Sequence, residues 1–161
     1  MSRKAQHEPE DIKVKDMIDN VYSFIEYKIK KCGILFINSL PSDLTLTIDI
    51  HDFQQLFLNL FINAVHSMQE GGILEIKGSR EDSNIFIEVL DNGCGIEAEH
   101  IGKIFDPFFT TKPTGEGTGL GLWLTYEIIR NYNGEISVES EVNKGTRFIL
   151  KFPSEHSLHT L

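Results

Sequence analysis

Two cysteines in 161 residues, Cys32 and Cys94, are too few and too far apart for a disulfide framework, and they match neither a CxxC pair nor another zinc spacing. A reducing, cytoplasmic setting is the expectation for such a chain. No apolar run approaches the about 18 residues that a membrane span needs, and the opening MSRKAQHEPED is too polar for a signal peptide. The chain therefore reads as soluble, whether free or as one piece of a membrane-attached parent. Basic residues are also short. Fifteen Lys and Arg stand against 24 Asp and Glu, a net charge of −9. That balance excludes nucleic acid as the main partner, because neutralising phosphates in bulk needs a basic face. A few placed lysines could still hold one small anionic ligand. Gly-Lys-Ser/Thr does not occur, so there is no P-loop. With 40% hydrophobic residues, a chain of this length is sufficient for one packed core and short for two.

What is present centres on residues 52–68, DFQQLFLNLFINAVHSM. At roughly 100° per residue, Phe53, Leu56, Phe57, Leu60, Phe61, Ala64 and Met68 cover one broad helical face. Leu58, Ile62 and Val65 extend the apolar cover around the sides, which leaves a polar stripe of Gln55, Asn59, Asn63 and His66. A helix this apolar is expected to be buried nearly all round, where unpaired carboxamides are costly. Either backbone carbonyls of a neighbouring loop satisfy Asn59 and Asn63, or a ligand does.

Along the chain, residues 1–14 are charged, include Pro9, and read as a linker or frayed end. From 16 to about 31 the apolar positions recur with helical spacing and close on Lys28, Lys30, Lys31 and Gly33, a basic last turn with a glycine stop. Short strands are expected at 34–38 and 44–49, then the central helix, then a strand pair at 73–79 and 84–90. Ile85, Ile87 and Val89 face one way along the second of these, and Phe86, Glu88 and Leu90 the other. Residues 91–122 form a long Gly- and Pro-rich connection, of a length that is usually functional. A helix at about 120–132 leads to a closing strand pair at 134–141 and 146–152, and 154–161 reads as a disordered tail.

The chemistry should lie between Asn59 and Gly121. Asp91-x-Gly93-x-Gly95 falls at a strand end, where glycines let the backbone approach a flat ligand and the carboxylate can accept from an exocyclic amine. Asp-Asn-Gly is also an ordinary turn. Gly93-x-Gly95-x-x-Ala98 fits the degenerate dinucleotide fingerprint, but no crossover helix and parallel strand follow it. Gly115-x-Gly117-Thr118-Gly119-Leu120-Gly121-Leu122 opens into a helix and would present several N–H donors to phosphate oxygens, unless it is only a hinge.

Taken together, Asn59-x-x-x-Asn63, Asp91-x-Gly93-x-Gly95, Ile104-Phe105-Asp106-Pro107-Phe108-Phe109, Gly117 to Leu122 and Gly145-Thr146-x-Phe148 resemble the N, G1, F, G2 and G3 boxes of sensor histidine kinases, in order and spacing. The resemblance covers about residues 12–153. The Phe-Phe-Thr-Thr-Lys form around Lys112 is similar to the nitrogen- and dicarboxylate-sensing subgroup. It implies a Bergerat-type α/β (α+β) two-layer sandwich: a mixed, mostly antiparallel sheet packed on three main helices, with a mobile ATP lid at about 99–118, all within a catalytic domain at 15–153. It further implies ATP and Mg²⁺ as ligands. Asp91 would bind the adenine amino group with Thr146 nearby through water, and Gly93, Gly95 and Ile96 would line the base. Asn63 would give its amide oxygen to Mg²⁺, which needs few protein ligands. Lys103 and Lys112 would neutralise phosphate charge, and Gly117, Thr118, Gly119, Leu120, Gly121 and Leu122 would wrap the triphosphate. His66 stands where many relatives carry a phosphate-contacting basic residue, and is a candidate contact only. Phe105, Phe108 and Phe109 would anchor the lid or dock it on a partner helix.

Related gyrase, chaperone and mismatch-repair ATPases place a water-activating Glu where this chain has Asn59. An amide is no general base at neutral pH, so slow hydrolysis is expected, with Asn59 orienting the acceptor or a water. The acceptor itself is missing: none of His7, His51, His66, His100, His156 or His159 sits in the His-Glu/Asp-x-x-Thr/Asn-Pro context of the phosphoacceptor helical hairpin. The implied function is transfer of the γ-phosphoryl group to a histidine on a separate hairpin, which in turn serves a response regulator. The isolated chain would be monomeric and its parent a homodimer. A protein-serine kinase of the anti-sigma type and a non-catalytic nucleotide-binding interaction module are the alternatives.

Overall fold

The computed structural model describes residues 8–111 and 119–154. Its first element corrects the reading of 1–14 as a linker: Glu10–Lys13 is a strand, β1, paired antiparallel with β3, Thr45–Ile48. Three of its four residues are charged or acidic and exposed, so nothing in the sequence alternates. Ile12 alone is buried, and the side chains of Thr47 and Asp11 hydrogen bond across the pair. The packed fold thus begins before residue 15. Residue 154 is likewise anchored, its N–H donating to the Ser83 carbonyl at 2.8 Å. Residues 1–7 and 155–161 lie outside the described residues.

Helix α1, Val14–Lys31, buries Val14, Ile18, Val21, Ile25 and Ile29 at helical spacing. It ends where expected, at Gly33 with φ +73. Strand β2, Ile34–Asn38, follows, and after β3 comes α2, Ile50–Ser67. This helix starts two residues ahead of the expected position because Asp49 caps it, its Oδ1 accepting from Asp52 N at 3.0 Å. The remaining elements are β4 Gly72–Glu81, β5 Asn84–Asp91, the short α3 Ala98–Ile101, α4 Gly121–Asn131, β6 Glu135–Glu141 and β7 Gly145–Pro153.

The main sheet runs β2-β4-β5-β7-β6; β2 is parallel to β4 and every other pairing is antiparallel. Alternation decides which face is inside. Ile85, Ile87 and Val89 of β5 are buried, as are Thr146, Phe148, Leu150 and Phe152 of β7. Helix α2 packs against both α1 and α4, and its Phe53, Phe57 and Phe61 are fully buried in the core. The result is the two-layer sandwich expected, with α2 in the middle of the helical layer.

Candidate functional site

The polar stripe of α2 is less enclosed than its apolar surroundings imply. Gln55 and His66 are exposed, while Asn59 and Asn63 are half-buried. Asn59 Nδ2 donates to the carbonyl of Gly121 at 3.2 Å, so a neighbouring backbone carbonyl does serve this amide. The same carbonyl accepts from Thr125 Oγ1 at 2.9 Å, which fixes the first turn of α4 to the centre of α2. One turn along, Asn63 makes no side-chain hydrogen bond among the described residues. One turn further stands Ser67, whose hydroxyl reaches Asp91 Oδ1 at 3.4 Å. Asn59, Asn63 and Ser67 therefore form one line, i, i+4, i+8, spanning about 12 Å of helix axis. It has the start of α4 at one end and the carboxylate that closes β5 at the other. Sequence reasoning continued the stripe to His66; strict i+4 spacing was the signal for Ser67.

Asp91 Oδ1 accepts from Gly93 N at 2.9 Å, with the Ser67 hydroxyl, whose nearer acceptor is the Ala64 carbonyl at 2.9 Å, lying 3.4 Å away. Burial pushes its carboxyl above the usual carboxylate range, opposed by the hydrogen bonds from Gly93, Ser67 and the backbone of Thr146. A desolvated carboxylate with unused lone pairs suits a ligand amine.

The loop after Asp91 is fastened on every side. Asn92 Oδ1 accepts from Ile73 N at 2.7 Å, Cys94 N donates to Ser67 O at 3.1 Å, and Asn143 N donates to Cys94 O at 2.8 Å. Ile96 N donates to Ser140 Oγ at 2.8 Å. These contacts revise the reason for the glycines. A Cβ on Gly93 would lie 2.4 Å from Ser67 Oγ, and one on Gly95, at φ +78, would lie 2.2 Å from the carbonyl oxygen of Glu141. The protein's own backbone already demands glycine at both positions, before any ligand arrives. Thr146 is buried and sits directly across from Asp91 in the β5–β7 register.

Of the segment 99–118 that the resemblance expects to form a lid, α3 and the residues after it are described as far as residue 111. Ile104 is buried, and the Phe105 ring meets Tyr126 at 5.9 Å and Phe148 at 6.3 Å, so this aromatic anchors the segment to α4 and the sheet. Phe109 packs beside His100, whereas Phe108 is 72% exposed. Phe108 N donates to the Gly119 carbonyl at 2.8 Å, which ties this segment to the approach to α4. Lys103 is exposed and makes no ion pair among the described residues. Gly119, Leu120, Gly121 and Leu122 lead into α4, whose cap residue Leu120 supplies no side-chain cap to its first N–H groups. Lys112, Gly117 and Thr118 lie outside the described residues. Ser67 and Ser140 are the site-lining residues that the sequence reading did not include.

Residues 48–156 match the family described as histidine kinase-, DNA gyrase B-, and HSP90-like ATPase. Sporulation kinase A of Bacillus subtilis (strain 168) is 36% identical over 147 residues, which are 91% of this chain but 24% of that kinase. The chain thus spans about a quarter of that relative. Among solved structures, the nucleotide-free catalytic domain of histidine kinase ThkA is 33% identical with a TM-score of 0.81, covering 91% of this chain and 96% of that one. Histidine kinase ThkA in complex with the response regulator protein TrrA is 27% identical with a TM-score of 0.78, covering 95% and 44%. This chain belongs to the histidine kinase-, DNA gyrase B- and HSP90-like ATPase family, and within it is homologous to the catalytic domains of sensor histidine kinases.

Proposed function

We propose that this domain binds Mg-ATP along the Asn59–Asn63–Ser67 line and transfers the γ-phosphoryl group to a histidine on a separate helical hairpin of a two-component sensor kinase. The observation that carries this reading is the convergence of that line on Asp91 at one end and on Gly121 at the other. A purine at Asp91 and a triphosphate at the start of α4 use both ends at once. In this reading Asp91 accepts from the adenine amine beside Thr146, and Gly93, Gly95 and Ile96 line the base. The N–H groups at Gly119 to Leu122, with Gly117 and Thr118, take phosphate oxygens. Lys103 and Lys112 neutralise phosphate charge, and His66 is a further ligand contact.

The residues present fit Mg²⁺. Its demand for oxygen ligands is met largely by water and phosphate, so one carboxamide without a protein partner is a sufficient protein contribution, and Asn63 supplies it. When bound, the ion would offset charge on the phosphate oxygens. Asn59 holds α4 in place through Gly121 and orients the acceptor or a water without being able to remove a proton. Positioning and charge neutralisation then carry the transfer, and ATP is spared from hydrolysis. The hairpin partner, the response regulator it serves, a monomeric domain and a homodimeric cytoplasmic or membrane-attached parent all belong to the same proposal. The catalytic domain is assigned to residues 10–153 and the lid to about 99–118.

Mixing the chain with MgATP and a separately prepared phosphoacceptor hairpin tests it. Acid-labile, base-stable phosphate on the hairpin is expected. Acid-stable phosphate on a protein substrate would move the assignment to a serine kinase, and nucleotide binding with transfer to no partner would leave an interaction module.

A further inference from the structure

Helix α1 carries two apolar surfaces, and the core uses only one. Val14, Ile18, Val21, Ile25 and Ile29 are buried on one face. Phe24 and Tyr27 lie about 100° and 160° around the helix from the middle of that face, at roughly 100° per residue. They are 58% and 76% exposed, and neither belongs to the core. Gln54 Nε2 donates to Asn20 Oδ1 at 2.9 Å, so the flank of α1 that carries Asn20, Phe24, Tyr27 and Lys31, spaced i, i+4, i+7, i+11, adjoins α2. The two helices run parallel. Helix α1 leads into β2 and α2 into β4, these strands are parallel, and the helix ends meet, with a Cβ on Gly33 placed 3.9 Å from Gly71 Cα. One turn on from the Asn20–Gln54 pair stand Phe24 and Leu58, and one turn more brings Ile62 level with Lys28. Leu58 and Ile62 are half-buried. Each precedes a site amide by one residue, about 100° around α2, so this groove opens on the flank away from α4 and the candidate site. It ends in basic residues on an acidic protein: the net charge is −9, yet Lys28, Lys30 and Lys31 crowd the last turn of α1. Glu26 pairs with Lys30 at 2.7 Å. Lys28 and Lys31 make no ion pair among the described residues, and Lys31 Nζ lies 5.9 Å from the Tyr27 ring centre. Cations at a helix C-terminus complement its dipole, which accounts for the lysines but not for the exposed aromatics beside them.

We propose that the groove between α1 and α2 docks an amphipathic helix of a partner protein, aliphatic on its seated face and acidic where it meets Lys28 and Lys31. Exposed aromatic anchors beside half-buried aliphatic side chains suit a helix laid into a groove. The unpaired lysines at one end select the sign of the partner's charge and set its direction along the groove. An anionic lipid surface is a poorer occupant, because it would meet the negative charge of the whole chain. The proposal stands apart from the nucleotide reading, since none of these residues belongs to that site.

The probe is a synthetic alanine-based helical peptide of about 18 residues with Leu at i, i+4 and i+7 and Glu on the flank, set against a counterpart with Lys for every Glu. Fluorescence anisotropy measures both against the whole chain. The Glu peptide should bind at least about tenfold more tightly than the Lys peptide. Phe24→Ala with Tyr27→Ala should weaken its binding by at least about tenfold. Lys28→Glu with Lys31→Glu should reverse the preference between the two peptides. All four side chains are exposed, so melting temperature and nucleotide affinity should stay at the parental values in both variants. Amide chemical shifts should move around Leu58 and Ile62 when the Glu peptide is added, and not around Asp91. No binding of the Glu peptide, equal binding of the two peptides, or shifts that map to another surface would overturn the proposal. Full affinity in the aromatic double variant, or binding of anionic phosphatidylserine vesicles in place of the peptide, would overturn it too.

Discussion

Replacing Gly95 by alanine separates two explanations of the glycine-rich loop. If glycine is needed only to let a ligand approach, the ligand-free protein should suffer only the strain of an alanine at φ +78, about 1 kcal/mol. The packing predicts more. The new Cβ would stand 2.8 Å from the Glu141 carbonyl carbon and only 2.2 Å from its oxygen, the latter more than 1 Å short of the 3.4 Å at which ordinary contact begins. Glu141 is held in β6 opposite Gly145, so the loop must retreat. Retreat stretches the Asn143 N to Cys94 O bond and the Ile96 N to Ser140 Oγ bond, each 2.8 Å and each worth about 1 kcal/mol. Strain and lost bonds together come to about 3 kcal/mol, or a melting point about 6–12 °C lower for a domain of this size. Circular dichroism on the nucleotide-free chain measures it. A variant that melts within about 4 °C of the parent, the range that backbone strain alone would produce, would refute the packing argument.

Three further substitutions probe the site. Asp91→Asn should abolish ATP binding yet stabilise the ligand-free fold at neutral pH. Burial raises the native carboxyl pKa above its ordinary 3.8, so the parent loses stability as pH rises through that raised value; the difference between variant and parent should vanish below about 3.8 in pH-dependent melting. Tyr132→Phe removes the phenol that donates to Asp52 Oδ2 at 2.5 Å and accepts from Asp49 N at 3.2 Å, linking the end of α4 to the first turn of α2; it should cost about 2 kcal/mol in urea titrations. Burial, then Asp52, holds that phenol well above its ordinary 10.0, so the parent should lose stability as pH climbs past 10 and the variant should not. Asn63→Ala should lose Mg²⁺-dependent phosphotransfer far more than nucleotide binding, and transfer at the parental rate would remove Asn63 from the metal.

Much of this was legible because strong periodicity survives folding. The 3.6-residue repeat of α2 and the alternation of Ile85, Ile87 and Val89 named core residues that are in fact buried. Asn59, Asp91 and the glycines could be singled out because polar or small residues break those patterns. What stayed hidden depends on contacts remote in sequence. Strand β1 carries one buried residue and exists through its pairing with β3. Ser67 and Ser140 look like ordinary surface serines until α2 and β6 bring them to Asp91 and Thr146. The need for glycine at 95 likewise comes from Glu141, which is far away along the chain and touches only after β6 has paired.

The most direct measurement is a crystal structure of the chain with Mg²⁺ and a non-hydrolysable ATP analogue. The account predicts the adenine amine on the Asp91 carboxylate, the metal against the Asn63 amide oxygen, and the phosphates over the residues that open α4. An analogue bound elsewhere, or bound here with its base away from Asp91, would contradict it.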